Sequence, residues 1–386
     1  MPADQDAPVL GRALRVPTAG LAGATTLATV VIVGDSATQR RLLRTAIDAD
    51  ADFTVVGEAR NGREAVALVD RLRPGVVLMD LDLPVMGGIE AIERIMSSTP
   101  TPIVVYAPCT GVTREDRTVE ALAAGAVDVL AAGAPDDPCA LAVNAAVLHR
   151  TLRVASRVRV ITHPRGRLRT QGLAASSPVP LAVVDSLTDA GRFGAVRLLA
   201  VGASTGGPQA LLTLLRELPA DLAQAVLVVQ HMAEGFIPGL ATWLDGLVAL
   251  PVVVGGSGHR LLPGTVTVAP SGGNLLVQDD RLRVLCVPPE PGQFHVPGID
   301  ATFSSVAQAL GPAAIGVLLT GMGRDGAAGL LQMREKGALT LGQDEATSTV
   351  YGMPAAAFAL SAVERQLPLD QIAPALLRSL GRTPGP

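Results

Sequence analysis

VGASTGGP, residues 201–208, joins a predicted buried strand to a predicted helix and decides the fold of the second half of this chain. The strand is indicated by the apolar run from Val196 to Val201. The helix is indicated by Pro208, which wastes no hydrogen bond at a first helical position, and by the leucines that recur after it. Glycines let the intervening turn be sharp and let another molecule approach the backbone closely. We therefore predict a strand, a tight turn that carries Ser204, and a helix.

Two kinds of site fit this turn when it is considered alone. The free N–H groups at the start of a helix favour negative charge in front of them, so Ser204 would lie beside a ready-made oxyanion site. A Gly-rich turn between a strand and a helix is also how many proteins hold the phosphates of a nucleotide. The turn by itself does not distinguish a nucleophilic serine from a nucleotide-binding loop.

Two further predicted strands in the second half favour the nucleophile. The apolar run 225–229 leads to His231, and the run 313–320 leads to Asp325. Ligands bind at the carboxyl ends of strands in an open α/β sheet, so three strand ends would bring a serine, a histidine and an aspartate to one edge. Nucleophilic acyl transfer requires this set, because the hydroxyl needs a base and the base needs a carboxylate that fixes its tautomer. A P-loop would contain a lysine, which this turn lacks.

The first half alternates between predicted strands and helices, with Asn61 as a helix cap. The strands are predicted at 29–33, 53–57, 75–80, 102–107 and 127–131. Five such repeats are typical of a doubly wound parallel sheet of the flavodoxin type. Asp35 follows the first strand and Asp80 ends the third. Carboxylates at these positions could hold a cation and accept a phosphoryl group, or they could simply cap the following helices.

The motifs of both halves resemble the CheB family of protein-glutamate methylesterases. The matching segments are VGASTGGPQAL around Ser204, QHM around His231, GMGRDG around Asp325 and QDEATSTVYGMP at 343–354. The resemblance is strong over about residues 195–384. The preceding half resembles the receiver domain that comes before the esterase in this family.

Four segments are predicted along the chain. Residues 1–27 are rich in Ala, Gly, Pro and Thr and are expected to form a flexible tail, and 28–150 form the receiver. Residues 151–194 are expected to be a linker, because arginines and then Ala, Ser and Pro dominate them, and 195–386 form the catalytic domain. The predicted fold class is α/β, with two doubly wound parallel-sheet domains, a flavodoxin-like receiver and then a Rossmann-like methylesterase domain.

The resemblance also implies the function and its residues. The implied triad is Ser204, His231 and Asp325. The implied oxyanion and substrate loop contains Thr205, Gly206 and Met322. The implied reaction is the hydrolysis of glutamyl methyl esters on chemoreceptor cytoplasmic helices, with glutamine deamidation as a second activity and regulation by the receiver. A chemotaxis histidine kinase is an implied partner, and the esterase step is expected to need no cofactor. Two alternatives are a non-catalytic signalling scaffold and a nucleotide-binding module.

The receiver departs from its family's pattern around the implied phosphoacceptor, Asp80. Receivers usually have two adjacent acidic residues after the first strand, but here Gly34 replaces one and Asp35 alone remains. Ala107 takes the place of a Ser or Thr, and Ala132 takes the place of a Lys. One fewer carboxylate weakens a Mg²⁺ site, and the lost ammonium leaves a transferring phosphoryl group poorly neutralised. We predict that phosphorylation of Asp80 is slow or absent.

Three residues of the second half are expected to leave the triad unchanged. His259 and His295 lie in predicted loops and follow no buried strand, so neither is expected to compete with His231 as the base. Asn274 stands where the family commonly has a histidine, which bears on substrate contact and leaves the triad intact.

Composition excludes several other classes of function. Although 48% of the residues are hydrophobic, no run reaches the roughly 18 to 20 apolar residues that span a bilayer, so no membrane insertion is expected. The three cysteines have no metal or redox spacing, and no signal peptide is visible, so a cytoplasmic location is predicted. A net charge of −4 offers no electrostatic surface for nucleic acid.

Overall fold

The first sheet contains five parallel strands in the order β2-β1-β3-β4-β5. Its strands are β1 (Ala28–Val33), β2 (Phe53–Ala59), β3 (Val76–Met79), β4 (Ile103–Pro108) and β5 (Asp128–Ala132). Its helices are α1 (Ala37–Asp48), α2 (Gly62–Leu72), α3 (Gly88–Ser98), α4 (Val112–Ala124) and α5 (Pro138–Ala155). This computed structural model describes residues 27–108, 112–132, 138–158, 196–232, 235–293 and 295–382.

Local sequence explains the main features of this first domain. All four residues of β3 are buried, as are the last four of β1, which is expected when helices cover both faces of a parallel sheet. Asn61 caps α2 as predicted, because its side chain accepts a hydrogen bond from Glu64 N at 2.9 Å. The strand order changes direction between β1 and β3, which brings Asp35 and Asp80 to one edge of the sheet.

The second sheet contains seven parallel strands in the order β14-β13-β12-β6-β7-β9-β8. Its strands are β6 (Leu198–Ala203), β7 (Ala225–Gln230), β8 (Val252–Val254), β9 (Val266–Val268), β12 (Ala314–Leu318), β13 (Leu339–Gln343) and β14 (Arg365–Leu367). An antiparallel pair, β10 (Asn274–Val277) and β11 (Val284–Val287), lies beside it. The helices are α6 (Gly207–Arg216), α7 (Ile237–Asp245), α8 (Ile299–Leu310), α9 (Ala327–Glu335), α10 (Met353–Ala359) and α11 (Leu369–Ser379).

The centre of this second sheet positions the candidate site. Strands β6, β7 and β12 are buried at every residue, and apolar clusters cover both faces of the sheet. The chain reverses direction across the sheet between β6 and β12, and such a switch point is where open α/β sheets bind ligands. The predicted fold class, two doubly wound parallel-sheet α/β domains, is confirmed.

The predicted segment boundaries are only partly covered by the structure. Residues 1–26 of the expected tail and 159–194 of the expected linker lie outside the described residues. Helix α5 continues to Ala155, past the predicted end of the receiver at residue 150, because Leu152 and Ala155 are buried in the receiver core. Within the described ranges, no helix is both long enough and apolar enough to cross a bilayer.

At the interface between the two domains, each domain buries a side chain in the apolar cluster of the other. Val119 of α4 is buried within the apolar cluster of the second domain, and Phe236 is buried within that of the first. Helix α4 packs against α6 and α7, and Leu122 O accepts a hydrogen bond from Gln209 Nε2 at 3.0 Å. The receiver is therefore docked beside the turn that carries Ser204.

Candidate active site

Ser204 lies in the turn between β6 and α6, as the sequence predicts, and the backbone of that turn is firmly held. Its N–H donates to Thr320 O at 3.0 Å, and its carbonyl oxygen accepts from Gln230 Nε2 at 2.9 Å. Gly206 has a φ of 76°, and a Cβ there would lie 2.4 Å from the Thr349 side chain. Only glycine fits that position, so the turn that presents the serine is specified by sequence.

Asp325 lies beyond β12 with its carboxylate at the first residues of α8. Oδ2 accepts from Ile299 N at 2.8 Å, and Oδ1 accepts from Asp300 N at 2.9 Å and from Gly326 N at 3.1 Å. Burial opposes ionisation, but hydrogen bonds from His231 and from these backbone N–H groups outweigh it and lower the pKa of Asp325 to about 2. The carboxylate is therefore ionised at neutral pH.

His231 follows β7 and neighbours Ser204, because β6 and β7 are paired up to Ala203 and Gln230. Its side chain is 8% exposed, and its Nε2 lies 2.7 Å from Asp325 Oδ2. An ionised carboxylate only accepts hydrogen bonds, so Nε2 carries the proton and Nδ1 carries the lone pair. Nδ1 is buried and has no hydrogen-bond partner in the part of the chain that the structure describes. The structure thus joins His231 to Asp325 and leaves Ser204 beside them without a hydrogen bond to the base.

The segment 343–354 holds the serine turn in place through hydrogen bonds to Thr320. Thr320 Oγ1 donates to Thr205 O at 3.0 Å and accepts from Val350 N at 2.9 Å. The Gln343 side chain, which is fully buried, accepts from Thr320 N at 2.8 Å. The family resemblance includes this segment as a motif, but the positioning role of Thr320 and Gln343 follows from these contacts.

The predicted oxyanion residues lie around Ser204. A Cβ on Gly321 would be 2.6 Å from Ser204 Cβ, so the chain that leads into Met322 passes directly over the serine. Among the described residues, no group accepts a hydrogen bond from the backbone N–H of Thr205 or Met322. These donors are available to an oxyanion. A cavity of about 370 Å³ between the domains is lined by Met322 and by residues of α5.

His295, which is not expected to compete with His231 as the base, nevertheless lies in the site. Its ring is stacked on His231, with 4.5 Å between ring centroids and 5° between ring planes. Burial lowers the pKa of His295 to about 4, and repulsion from Arg150 and from the protonated form of His231 acts in the same direction. A loop residue reaches the base here because the chain folds back before α8, a tertiary contact for which the local sequence carries no signal.

Asn274 holds the loop that carries His295. Its Oδ1 accepts from Gly298 N at 2.7 Å and from Gln293 Nε2 at 2.9 Å, and its Nδ2 donates to Gln293 Oε1 at 2.8 Å. Asn274 is 3% exposed, so these contacts make it a support for the loop. The described contacts do not join Asn274 to the triad, which agrees with the expectation that the triad is left intact.

The receiver site contains the two predicted carboxylates. Burial raises the pKa of Asp80, and the negative charges of Asp82 and Asp35 raise it further. Asp80 Oδ1 accepts from Asp82 N at 3.0 Å. Arg117, which sequence analysis did not single out, forms an ion pair with Asp82 and donates to Leu81 O at 3.0 Å. The Arg117 guanidinium therefore places a positive charge at the loop after β3.

Two carboxylates at this edge of the receiver could hold a Mg²⁺ ion. Mg²⁺ often binds one or two carboxylates and keeps several waters, and Asp35 and Asp80 would be its protein ligands. The described residues contain no group of three or more His, Cys, Asp or Glu side chains that could hold a metal ion. The predicted departures at Ala107 and Ala132 fall in the last residues of β4 and β5, where the side chains lie outside the described part.

The fold and the site together define a two-domain α/β protein with a receiver and a candidate serine hydrolase centre. The CheB methylesterase family model matches residues 199–376, and the response regulator receiver domain model matches residues 30–135. Protein-glutamate methylesterase/protein-glutamine glutaminase 3 of Paramagnetospirillum magneticum is 42% identical over 356 residues, which are 92% of this chain and 97% of that protein. The protein-glutamate methylesterase/protein-glutamine glutaminase 1 of Cupriavidus pinatubonensis is 44% identical over 91% of this chain and 97% of its own length.

Solved structures also match part of this chain. The crystal structure of the Thermotoga maritima CheB methylesterase catalytic domain is 30% identical, with a TM-score of 0.45, and the match covers 47% of this chain and 97% of that one. From the two family models and the full-length relatives, the chain belongs to the CheB family of receiver-linked protein-glutamate methylesterases.

Proposed function

We propose that this chain is a serine hydrolase that removes methyl groups from glutamyl methyl esters of chemoreceptor helices, with Ser204 as the nucleophile. The observation that carries the proposal is the state of His231. One ring nitrogen is bonded to an ionised Asp325, and the other is a buried lone pair with no hydrogen-bond partner among the described residues. A buried acceptor without a donor costs about 1–3 kcal/mol, and a general base beside a hydroxyl is a role that accounts for it.

The first half of the reaction forms an acyl-enzyme. Ser204 Oγ attacks the γ-carbonyl carbon of the ester, and His231 Nδ1 takes its proton. The backbone N–H groups of Thr205 and Met322 donate to the oxyanion of the tetrahedral intermediate. His231 then gives the proton to the departing methoxide, which leaves as methanol. Asp325 stabilises the imidazolium and keeps its own charge throughout.

The second half of the reaction hydrolyses the acyl-enzyme and regenerates the free enzyme. Nδ1 of His231 takes a proton from a water molecule, whose oxygen attacks the acyl carbon, and the proton then returns to Ser204 Oγ as glutamate leaves. Every proton is moved by His231, so the proposed sequence needs no metal or organic cofactor. A glutamine side chain follows the same route with ammonia as the leaving group. Amide hydrolysis should be slower, because an amine leaves less readily than an alkoxide.

A non-catalytic scaffold is the alternative, and it accounts for less of the site. A scaffold has no use for an ionised carboxylate that fixes the tautomer of a buried imidazole, or for a glycine in the left-handed conformation that presents a serine. The relatives named above are called methylesterases and glutaminases, which also supports the enzyme. The substrates proposed are methylated chemoreceptor cytoplasmic helices, and a chemotaxis histidine kinase is the proposed partner of the receiver.

The receiver is proposed to restrain the site through the serine turn. Thr205 Oγ1, which belongs to the residue after the nucleophile, donates to Asp128 Oδ2 of β5 at 3.0 Å. A receiver docked in this way fixes Thr205, whose backbone N–H is a proposed oxyanion donor, and narrows the approach to Ser204. We expect the fragment 195–386 to release methanol faster than the full chain. An equal rate would mean that the docked receiver imposes no restraint.

A fluorophosphonate probe tests whether Ser204 is an activated nucleophile. The full chain should be labelled at Ser204, as located by mass spectrometry of its peptides, because such probes react with serines that have a working base. Ser204→Ala should abolish the label and His231→Gln should nearly abolish it. Ser257→Ala, which changes an exposed serine of the same domain, is the matched control and should be labelled normally. An unlabelled wild-type chain would favour the scaffold.

A further inference from the structure

We propose that His295 is a positioning residue that holds the His231 imidazole in the plane from which Nε2 meets Asp325 and Nδ1 serves Ser204. The inference rests on the proposed function, in which His231 is the base. It assigns a role to a histidine that lies outside the triad and follows no strand. Its basis is the parallel stack of the two rings, with 4.5 Å between their centroids and 5° between their planes.

The hydrogen bonds of His231 are too few to orient its ring. A single bond, from Nε2 to Asp325 Oδ2, anchors one edge, and Nδ1 has no partner among the described residues. One bond fixes a point of the ring but leaves the plane free to turn about that contact. A second flat ring packed face to face removes this freedom and also keeps water off that face. His295 therefore supplies the constraint that the hydrogen bonds lack.

His295 is itself held from two sides. The Arg150 guanidinium lies with Nη2 3.3 Å from His295 Nε2, and the carbonyl oxygen of His295 accepts from Gln293 Nε2 at 2.7 Å. A guanidinium only donates, so His295 Nε2 is the acceptor and Nδ1 carries the proton of a neutral ring. Gln293 is fixed in turn by Asn274. The ring against His231 is thus anchored by its own loop and by the receiver helix α5.

The charge state of His295 suits a partner of the base. Burial first, then repulsion from the protonated form of His231 and from Arg150, lower the pKa of His295 to about 4, although Asp325 acts in the opposite direction. The ring is therefore neutral near pH 7, so it adds no repulsion when His231 becomes imidazolium. The remaining charged neighbour is Asp300, which is hydrogen-bonded to Asp325 and whose own pKa is raised, first by burial.

Three substitutions in the full chain separate stacking from other roles of His295. His295→Ala removes the ring, His295→Gln removes the ring but keeps an acceptor for Arg150, and His295→Phe keeps a flat ring. His259→Ala is the control, since His259 is an exposed histidine of the same domain. The readouts are kcat and KM for methanol release from methylated receptor membranes, the pH profile of kcat, and Tm.

The proposal predicts a pattern across these variants. The Ala and Gln variants should lose about tenfold to a hundredfold in kcat with little change in KM, because a misplacement of about 1 Å in a catalytic group can cost about a hundredfold. The pH of half-maximal kcat should rise in both, because water reaches the imidazolium once the ring is gone. The Phe variant should stay within about threefold of wild type, since a flat ring keeps the base in place, and its pH profile should be unshifted. The control should match wild type.

Two results would overturn the proposal. One is kcat for His295→Ala within about twofold of wild type, since a displaced base should cost far more. The other is an equal loss in the Ala and Phe variants with unshifted profiles, which a merely structural residue would give. If the Ala variant fails to fold, the Gln and Phe variants decide by the same criteria. Ser204→Ala in the same assay separates the two claims, because full activity of that variant would refute the esterase mechanism itself.

Discussion

Replacing Asp325 by asparagine removes one charge and almost nothing else, so it isolates what the carboxylate does. The carboxylate receives four N–H donors: His231 Nε2 and Ile299 N on Oδ2, and Asp300 N and Gly326 N on Oδ1. An amide can accept at only one of these two positions. Whichever way it is placed, its NH₂ group faces two N–H donors.

The two placements differ in their consequence for the base. With NH₂ in the Oδ2 position, Ile299 N loses its acceptor. The amide then donates a hydrogen bond to His231 Nε2, so the imidazole lone pair lies on Nε2 and no longer on the nitrogen that faces the serine. With NH₂ in the Oδ1 position, the tautomer is preserved but two partly buried backbone donors, Asp300 N and Gly326 N, are left without an acceptor. Each lost acceptor costs about 1–3 kcal/mol, so the first placement is favoured.

The expected loss of activity follows from the tautomer. An imidazole held with its proton toward the nucleophile typically lowers kcat by about 10⁴-fold, or roughly 5 kcal/mol of transition-state stabilisation. The assay is methanol release with the full chain, with Tm measured in parallel because the lost acceptor also destabilises the fold. Asp300→Asn is the matched control, since it changes the neighbouring carboxyl and should cost less than about tenfold if the tautomer argument holds. A loss below tenfold for Asp325→Asn, with an unchanged Tm, would refute the argument.

Three further predictions concern the serine turn and the receiver. Gly206→Ala should lower kcat strongly, because its methyl group would lie 2.4 Å from Thr349, whereas Gly258→Ala, with a φ of 81° and open space around it, should change only Tm. Asp128→Asn should raise Tm at pH 7. Burial raises the pKa of Asp128, so the folded state loses stability as pH rises through that raised pKa, and an amide does not titrate. Asp80 should not become stoichiometrically phosphorylated by acetyl phosphate, as read by the mass of the intact chain; stable stoichiometric modification would contradict the impaired receiver.

The sequence predicts the sheets because their strands are short apolar runs with polar residues directly after them. The runs that end near Ser204, His231 and Asp325 are buried on both sides, so each leads the chain to the same edge. The glycines of the serine turn also predict its conformation from the sequence. In the structure, a positive φ and a close contact at Gly206 leave no room for a side chain. These features depend on short stretches of sequence, so local sequence patterns are enough to predict them.

The missed features depend on contacts between distant segments. The stacking of His295 needs a loop held by Asn274 and Gln293, and none of these residues has a distinctive neighbour in sequence. The bond between Thr205 and Asp128 needs the two domains to be docked, and a carboxyl at the start of β5 gives no hint of that partner. The length of α5 was missed because buried Leu152 and Ala155 follow arginines that resemble a linker.

Methanol release from methylated receptor membranes, compared between the full wild-type chain and Ser204→Ala, tests the central claim most directly. The methyl group of the ester leaves only as methanol, so the assay reads the bond that Ser204 is proposed to break. The account predicts catalytic release by the wild-type chain and the loss of nearly all turnover in the variant. No release from the wild-type chain, or equal release from both, would contradict it.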